Sequence, residues 1–427
     1  MEQEELKRKL MGLWEKTTHN SKDLISTLFD YYFDVNFIEY KDLDGRIISA
    51  LFGIPYKFGS GEKHLKGLYI IYLSAEEGFR KKGILAELLN KFNERVKKDF
   101  DFTFLVPHTE LLADYFGTQG YYSSFYILEE RFTPLHDFRH DYILSLTDSD
   151  ERIIELKKGL LEDIKVIAND TDNLFSNDQI IQFIESVEEK STSSANLSHT
   201  VKDLDYILQD QNLRNLNPFI SYDSDGRITG VAFTQKDDIK RIKVVANYVS
   251  DLCSFFALLD FIKREYFDYS ISIVTIDPKY QIHSIVQQTY ASKNPAGGDL
   301  DNTFGTIEIP FNINKLLQPL GMVRLLRFEN IMAYIASTRS DVNFKLHIRD
   351  YMPQGEDASE KGNLVFCIKN GKIKTERKVT LSEDHTVLNL SVKEISELLL
   401  RKNDSSNLIM EAFGIPRLNL QIRLLPF

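Results

Sequence analysis

The chain has 427 residues, 63 of them acidic against 52 basic, for a net charge of −11. One hydrophobic core stops growing at about 250–300 residues, so this length calls for two or three domains. With 43% hydrophobic and 12% aromatic residues, the chain lies far from the composition of disordered proteins. The acidic balance argues against nucleic acid as the main partner, because phosphate backbones are bound by clustered Lys and Arg. It suits a cationic substrate such as an amine, drawn to an acidic cleft.

Cys253 and Cys367 each sit inside an apolar stretch and read as small buried hydrophobes. Two isolated thiols make neither a disulfide framework nor a zinc site. The histidines, among them His19, His64, His108, His199, His283, His347 and His385, are scattered without ligand spacing, and no metal site is expected. The first ten residues are charged and helical in character, unlike a signal peptide, and no run of about 18 apolar residues occurs. The expected location is the cytoplasm.

In chain order, Leu6, Leu10, Leu13 and Trp14, then Leu24, Leu28, Tyr31 and Tyr32, recur at helical spacing. The polar stretch Thr17–Ser21 separates two helices, with Ser21 as N-cap of the second. The period then changes to that of strands. Asn36–Tyr40 and Arg46–Lys57 read as a hairpin turned at Asp44-Gly45, and His64–Ser74 as a third strand. A charged loop, Glu76–Gly83, leads to an amphipathic helix from Ile84 to Asp99. A short strand Phe102–Val106, a helix Glu110–Phe116 and a strand through Phe125 to Phe132 follow.

Residues 148–213 read as mostly helical, broken by the polar stretch Lys190–Asn196. Phe219–Ile228 then echoes Phe37–Ile47, and Phe255–Tyr266 with Ser270–Ile276 echoes the earlier helix and strand, which indicates an internal duplication of one α/β unit. A third region opens near Leu317. It carries strands Val342–Ile348, Leu364–Lys369 and Lys372–Val379, a hairpin at Asn370-Gly371 and a helix Val392–Arg401.

The informative segment is Leu68–Ala75 followed by Arg80-Lys81-Lys82-Gly83-Ile84-Leu85. A strand enters a basic, glycine-containing turn that opens a helix, whose first N–H groups lack internal partners and attract anions. Gly83 permits close approach of backbone to a phosphate, and Arg80, Lys81 and Lys82 add charge. The turn is neither a Walker loop nor a dinucleotide fingerprint, since both glycine patterns are missing. The second copy has Asn247–Asp251 at this place, acidic and free of glycine, and should not take a phosphate.

With Gly120-Tyr121 after the next strand and helix, the arrangement resembles the GNAT superfamily of N-acetyltransferases. Leu85 departs from the commoner Gly or Ala and is similar to the Eis-type (enhanced intracellular survival) branch. That branch joins two GNAT-like units to a sterol-carrier-like domain. The resemblance covers nearly the whole chain, though only residues 68–121 carry specific motifs.

It implies a multi-domain α+β or mixed α/β fold: a catalytic unit over residues 1–138, a degenerate copy over 139–315 and a sterol-carrier-like domain over 316–427. It implies acetyl-CoA as co-substrate, no metal, and an amine acceptor, either a small molecule or a lysine side chain. The backbone of Leu73, Ser74 and Ala75 would hold the pantetheine arm, and that of Lys81 to Leu85 the pyrophosphate. Thr109 and Phe116 would lie near the cofactor, Phe116 departing from the usual tyrosine. Tyr121 would be the general acid, being protonated at neutral pH, and the terminal carboxylate of Phe427 the general base. A homo-oligomer, a hexamer by resemblance, would also follow. The competing expectation is a non-catalytic lipid- or partner-binding protein with a vestigial GNAT unit.

Overall fold

The computed structural model describes residues 2–18, 20–60, 63–134, 163–168, 174–190, 196–209, 216–275, 282, 314–338, 343–349, 363–370, 372–378, 387–400, 418 and 420. The chain is a mixed α/β fold divided into two compact units. The first comprises Met1–Tyr126, Ser194–Ser198 and Pro319–Gln421, the second Ile127–Ser193 and His199–Gln318. Three contiguous domains were expected. The chain instead interleaves, and the third region belongs to the same compact unit as the first.

The first unit begins with helices α1 (Gln3–Thr18) and α2 (Lys22–Tyr32), the latter capped by the Ser21 side chain. Strands β1 (Ile38–Leu43), β2 (Arg46–Ser60) and β3 (Lys63–Ala75) form an antiparallel meander. Asn36 and Phe37, expected to open the first strand, belong instead to a 3-10 turn, Val35–Phe37, because the Asp34 side chain accepts from the Asn36 N–H. Helix α3 (Ile84–Val96) then carries the chain to β4 (Phe102–Leu105), which pairs parallel with β3. Helix α4 (Glu110–Thr118) and β5 (Tyr122–Phe132) follow, and β5 passes into the second unit after Tyr126.

Side chains alternate across this sheet. On one face Phe58, Phe104 and Phe125 pack ring against ring, with Phe102 against Phe58, while Trp14 of α1 packs on Phe52. On the other, Leu51, Leu68, Ile70 and Leu105 meet Leu88, Leu89 and Phe92 of α3.

The second unit repeats this order. After β6 (Lys165–Ala168) and α5 (Asn177–Lys190) comes β7 (Leu197–Ser198), whose residues belong to the first unit and pair with β2. Helix α6 (Val201–Gln209) precedes the meander β8 (Leu216–Tyr222), β9 (Ile228–Asp237) and β10 (Arg241–Val249). Helix α7 (Leu252–Glu265) then leads to β11 (Ser270–Thr275), parallel to β10 as β4 is to β3. Gly45 and Gly226 take φ of 78° and 77° in the two matching hairpin turns, so the duplication expected from the sequence is present. The stretch expected to be mostly helical contains a strand as well. The β-branched pair Val166-Ile167 in β6 pairs with Ile220-Ser221 of β8.

Strand β12 (Asn314–Leu325) pairs antiparallel with β4 from Met322 to Leu325. The segment Leu320–Arg327, expected to open a separate C-terminal domain, therefore completes the first sheet. Beyond it, α8 (Phe328–Thr338) packs against β3 and against a second sheet. That sheet is built from β13 (Asn343–Ile348), β14 (Asn363–Lys369), β15 (Lys372–Lys378) and β16 (Val387–Leu390) in the order β15-β14-β13-β16. Lys369 pairs with Lys372 around a two-residue turn in which Asn370 has φ of 48°, as its Asn-Gly sequence requires. Helix α9 (Val392–Leu400) follows. Cys253 and Cys367, expected to be buried, are only half-buried.

Candidate active site

The site starts from an irregularity in β3. Phe52 pairs with Ile71 and Ala50 with Ser74, so Leu51 alone faces both Tyr72 and Leu73. Two residues against one is a β-bulge, which leaves backbone groups of the longer strand outside the ladder. Tyr72 has φ of 52°, a left-handed conformation that costs a tyrosine about 1–2 kcal/mol. Its surroundings hold it there: the ring stacks on Trp14 at 5.0 Å and the hydroxyl accepts from Asn20 Nδ2 at 3.1 Å. Next to it, Ser49 Oγ donates to the Ser74 carbonyl at 3.1 Å, and Thr17 Oγ1 to Ser74 Oγ at 2.9 Å. Leu73, Ser74 and Ala75 are thus fixed at the end of the bulged strand.

From Ala75 the chain turns through a short 3-10 segment, Glu77–Phe79, into α3. Arg80 Nε donates back to the Ala75 carbonyl at 3.2 Å, and Glu76 is paired with Arg46. Lys81 and Gly83 both have left-handed φ, 60° and 77°, which tilts the backbone N–H groups of the turn to one side as in anion-binding nests. Gly83 is the N-cap of α3, no side chain caps the helix, and a Cβ on Gly83 would meet nothing within 4 Å. Arg80, Lys81, Lys82 and Gly83 are exposed, whereas Ile84 and Leu85 are half-buried. Open space, unpaired N–H groups, a helix dipole and three cations fit a polyphosphate.

The corresponding place in the second unit is already filled. β10 and α7 are separated only by Ser250 and Asp251, and Asp251 caps α7 through Ser254 N at 2.8 Å. Its other carboxylate oxygen accepts from Ser250 Oγ at 2.7 Å and Ser254 Oγ at 3.2 Å. The chain's own carboxylate occupies the anion position there.

The remaining sequence-derived residues lie as follows. Thr109 is the N-cap of α4, its Oγ1 accepting from Leu112 N. Phe116 is buried, 6.0 Å from the Tyr121 ring in an edge-on contact. Both side chains are engaged in building the first unit. Tyr121 is 1% exposed, and its hydroxyl closes a ring with two residues that sequence reasoning missed. Asn93 Nδ2 donates to Tyr121 Oη at 3.2 Å, Thr103 Oγ1 donates to Asn93 Oδ1 at 2.8 Å, and Tyr121 Oη lies 2.9 Å from Thr103 Oγ1. With the threonine proton given to Asn93, the tyrosine hydroxyl donates to Thr103 Oγ1, with Asn93 Oδ1 at 3.3 Å as a second, longer acceptor. Burial pushes the Tyr121 pKa above its ordinary 10, opposed by Thr103, Asn93 and the charge of Arg324. Phe427 lies outside the described residues. Among the described residues no His, Cys, Asp and Glu side chains group as metal ligands, and no helix is long and apolar enough to cross a membrane.

A three-stranded meander with a bulged third strand, an uncapped basic turn into a helix and a parallel fourth strand is the fold of the GCN5-related N-acetyltransferases; the second unit repeats the meander, helix and parallel strand with a capped, acidic turn in place of the basic one. Solved structures matching nearly its whole length share that fold. A conserved protein of Enterococcus faecalis described as a probable N-acyltransferase superimposes with a TM-score of 0.63 at 14% identity, over 97% of this chain and 92% of that one. A GCN5-related N-acetyltransferase from Anabaena variabilis gives 0.63 at 10% identity, over 99% and 97%. Eis1 from Mycobacterium abscessus gives 0.55 at 10% identity, over 92% and 89%, so the Eis-type resemblance holds at the level of fold. No protein-family profile matches the sequence, and no curated protein matches it either.

Proposed function

We propose that this protein is an N-acetyltransferase that moves the acetyl group of acetyl-CoA onto a primary amine, of a small molecule or a lysine side chain, by direct attack in a ternary complex. The observation that carries this reading is the bulge at Tyr72-Leu73 joined to the uncapped turn Arg80–Gly83. The bulged strand end offers backbone groups of Leu73, Ser74 and Ala75 to the pantetheine arm. The turn offers backbone N–H groups from Lys81 to Leu85, with the Arg80, Lys81 and Lys82 charges, to the pyrophosphate. In the reaction the amine nitrogen attacks the thioester carbonyl, the C–S bond breaks and the sulfur leaves as a thiolate that takes up a proton. Neither Cys253 nor Cys367 belongs to the β3–α3 site, which favours direct attack over an acyl-enzyme.

Tyr121 is assigned as the acid for the leaving thiolate. Its phenol is protonated at neutral pH, and donation requires the hydroxyl to turn out of its ring with Thr103. The terminal carboxylate of Phe427 is assigned as the base that takes the ammonium proton. The test is acetyl-CoA turnover, followed by thiol release, across aminoglycoside, polyamine and lysine-peptide acceptors, run with N-terminally and C-terminally tagged protein. At least one acceptor class should be acetylated. The C-terminal tag, which displaces the carboxylate, should slow turnover on the order of 100-fold. No CoA binding and no turnover would overturn the function; equal rates for the two tagged forms would overturn the base.

A further inference from the structure

The Tyr121 neighbourhood contains one charged side chain that comes from far along the chain. Arg324 lies on β12 directly across from Thr103 of β4, and cross-strand partners project from the same face of a sheet. Thr103 Oγ1 is the nearer of the two hydrogen-bond partners of the Tyr121 hydroxyl on the strand and helix, at 2.9 Å. From this position Arg324 Nη1 donates to Asn90 Oδ1 on α3 at 2.7 Å and to the Gln119 carbonyl at 3.1 Å. Gln119 ends α4, and Gly120 turns the chain into β5 with φ of 80°. The Arg324 side chain covers that turn, its Nε and Cδ lying 3.8 and 3.9 Å from where a Gly120 Cβ would be. The guanidinium therefore ties the segment delivering Tyr121 to the helix that supplies Asn93.

We propose that Arg324 is a positioning residue for acetyl transfer: supplied by the C-terminal third of the chain, it clamps the Gln119–Tyr121 turn against α3 so that the Tyr121 hydroxyl is held at the thioester. The inference rests on the reading of Tyr121 as the acid. Three elements surround that hydroxyl. α3 contributes Asn93, β4 contributes Thr103 and β12 contributes Arg324, whose charge favours the ionised phenol. When Tyr121 gives up its proton, Asn93 donates to the phenolate, Thr103 can rotate to do the same, and the Arg324 cation favours the anion. Both acceptors, on different elements, are reached by the single nitrogen Nη1 of a rigid, always-charged guanidinium, which a shorter and more freely rotating lysine ammonium replaces only in part.

A double-mutant cycle tests this, with kcat, KM, CoA affinity and thermal stability measured for Arg324→Met, Arg324→Lys, Tyr121→Phe and Tyr121→Phe/Arg324→Met. Arg324→Met should lower kcat roughly 10-fold to 100-fold with CoA affinity unchanged, and Arg324→Lys should recover part of the loss. In the Tyr121→Phe background, Arg324→Met should cost nothing more, because a residue acting through another has no effect once that other is gone. Additive losses would overturn the proposal by assigning Arg324 an independent structural role, as would an unchanged kcat in Arg324→Met. Full activity in Tyr121→Phe would remove the acid reading and this proposal with it, while leaving acetyl transfer itself standing. A wild-type chain inactive on every amine would overturn all three.

Discussion

At the scale of single residues, Gly83 is the position where conformation and chemistry meet. It holds φ of 77° in open space at the uncapped start of α3. Two substitutions separate its two properties. Gly83→Ala adds only a Cβ that meets nothing, so it should destabilise the fold by about 1–2 kcal/mol through the left-handed backbone and leave CoA affinity nearly intact. Gly83→Asp adds the charge that Asp251 already supplies to α7. A carboxylate about 4 Å from a phosphate at an effective dielectric near 20 repels it by about 4 kcal/mol, so CoA affinity should fall on the order of 100-fold or more in titration calorimetry. Equal affinity in the two variants would mean that the pyrophosphate binds elsewhere. The glycine and its cations could be found in the sequence because one local turn contains them all. The ring of Asn93, Thr103 and Tyr121 could not. Asn93 and Tyr121 are 28 residues apart, and an asparagine on a helix reads as solvated until the fold buries it.

At the scale of elements, the period of the apolar residues predicted most of the helices and strands of the first unit, and the turn glycines predicted the hairpins. The bulge in β3 was not legible, because nothing local in Ile71-Tyr72-Leu73 marks one. It exists because Trp14 and Asn20, from the first helix and the loop after it, hold Tyr72 in its unfavourable backbone conformation. The second meander also shifts register, between Val244 and Ala246, so the irregularity is duplicated along with the strands. What differs is the connection that follows, long and basic in one copy, two residues with a carboxylate in the other. Close packing inside β3 sets a further constraint. A Cβ on Gly67 would stand 2.7 Å from the Phe102 ring and 2.8 Å from that of Phe58, two rings already in edge contact at 5.0 Å. Gly67→Ala should therefore cost about 1–3 kcal/mol as overpacking, seen as a lowered midpoint in denaturant with unchanged slope. A stability equal to wild type would show that the rings can separate without loss.

At the scale of the whole molecule, each duplicated sheet is extended by a strand from elsewhere in the chain. β4 receives Met322–Leu325 of β12, and β11 receives Leu128–Phe132 of β5. This escaped the sequence reading, which treats neighbours in sequence as neighbours in space, the usual but not universal case. Asp101 shows how tightly the late strand is held. Its backbone carbonyl accepts from Leu326 N at 2.8 Å and Arg327 N at 3.1 Å. Its carboxylate, 2% exposed, accepts from Lys66 N at 2.7 Å and Asn330 Nδ2 at 2.7 Å. Asp101→Ala leaves the last two donors unanswered in a buried place, a cost of about 3 kcal/mol. Truncation after Gln318 does more: it removes Met322–Leu325, the part of β12 that pairs with β4, exposes the edge of β4 with Phe102 and Phe104 behind it, and deletes Arg324. Unpaired apolar edges aggregate, so the truncated chain should lose cooperative thermal unfolding and CoA binding together, although it keeps every residue of the cradle. Asp101→Ala should keep both, with a lower melting temperature. A truncated chain that melted cooperatively and bound CoA as the full chain does would show that the first unit folds without its borrowed strand, and the interleaving would then be an attachment rather than a condition of the fold.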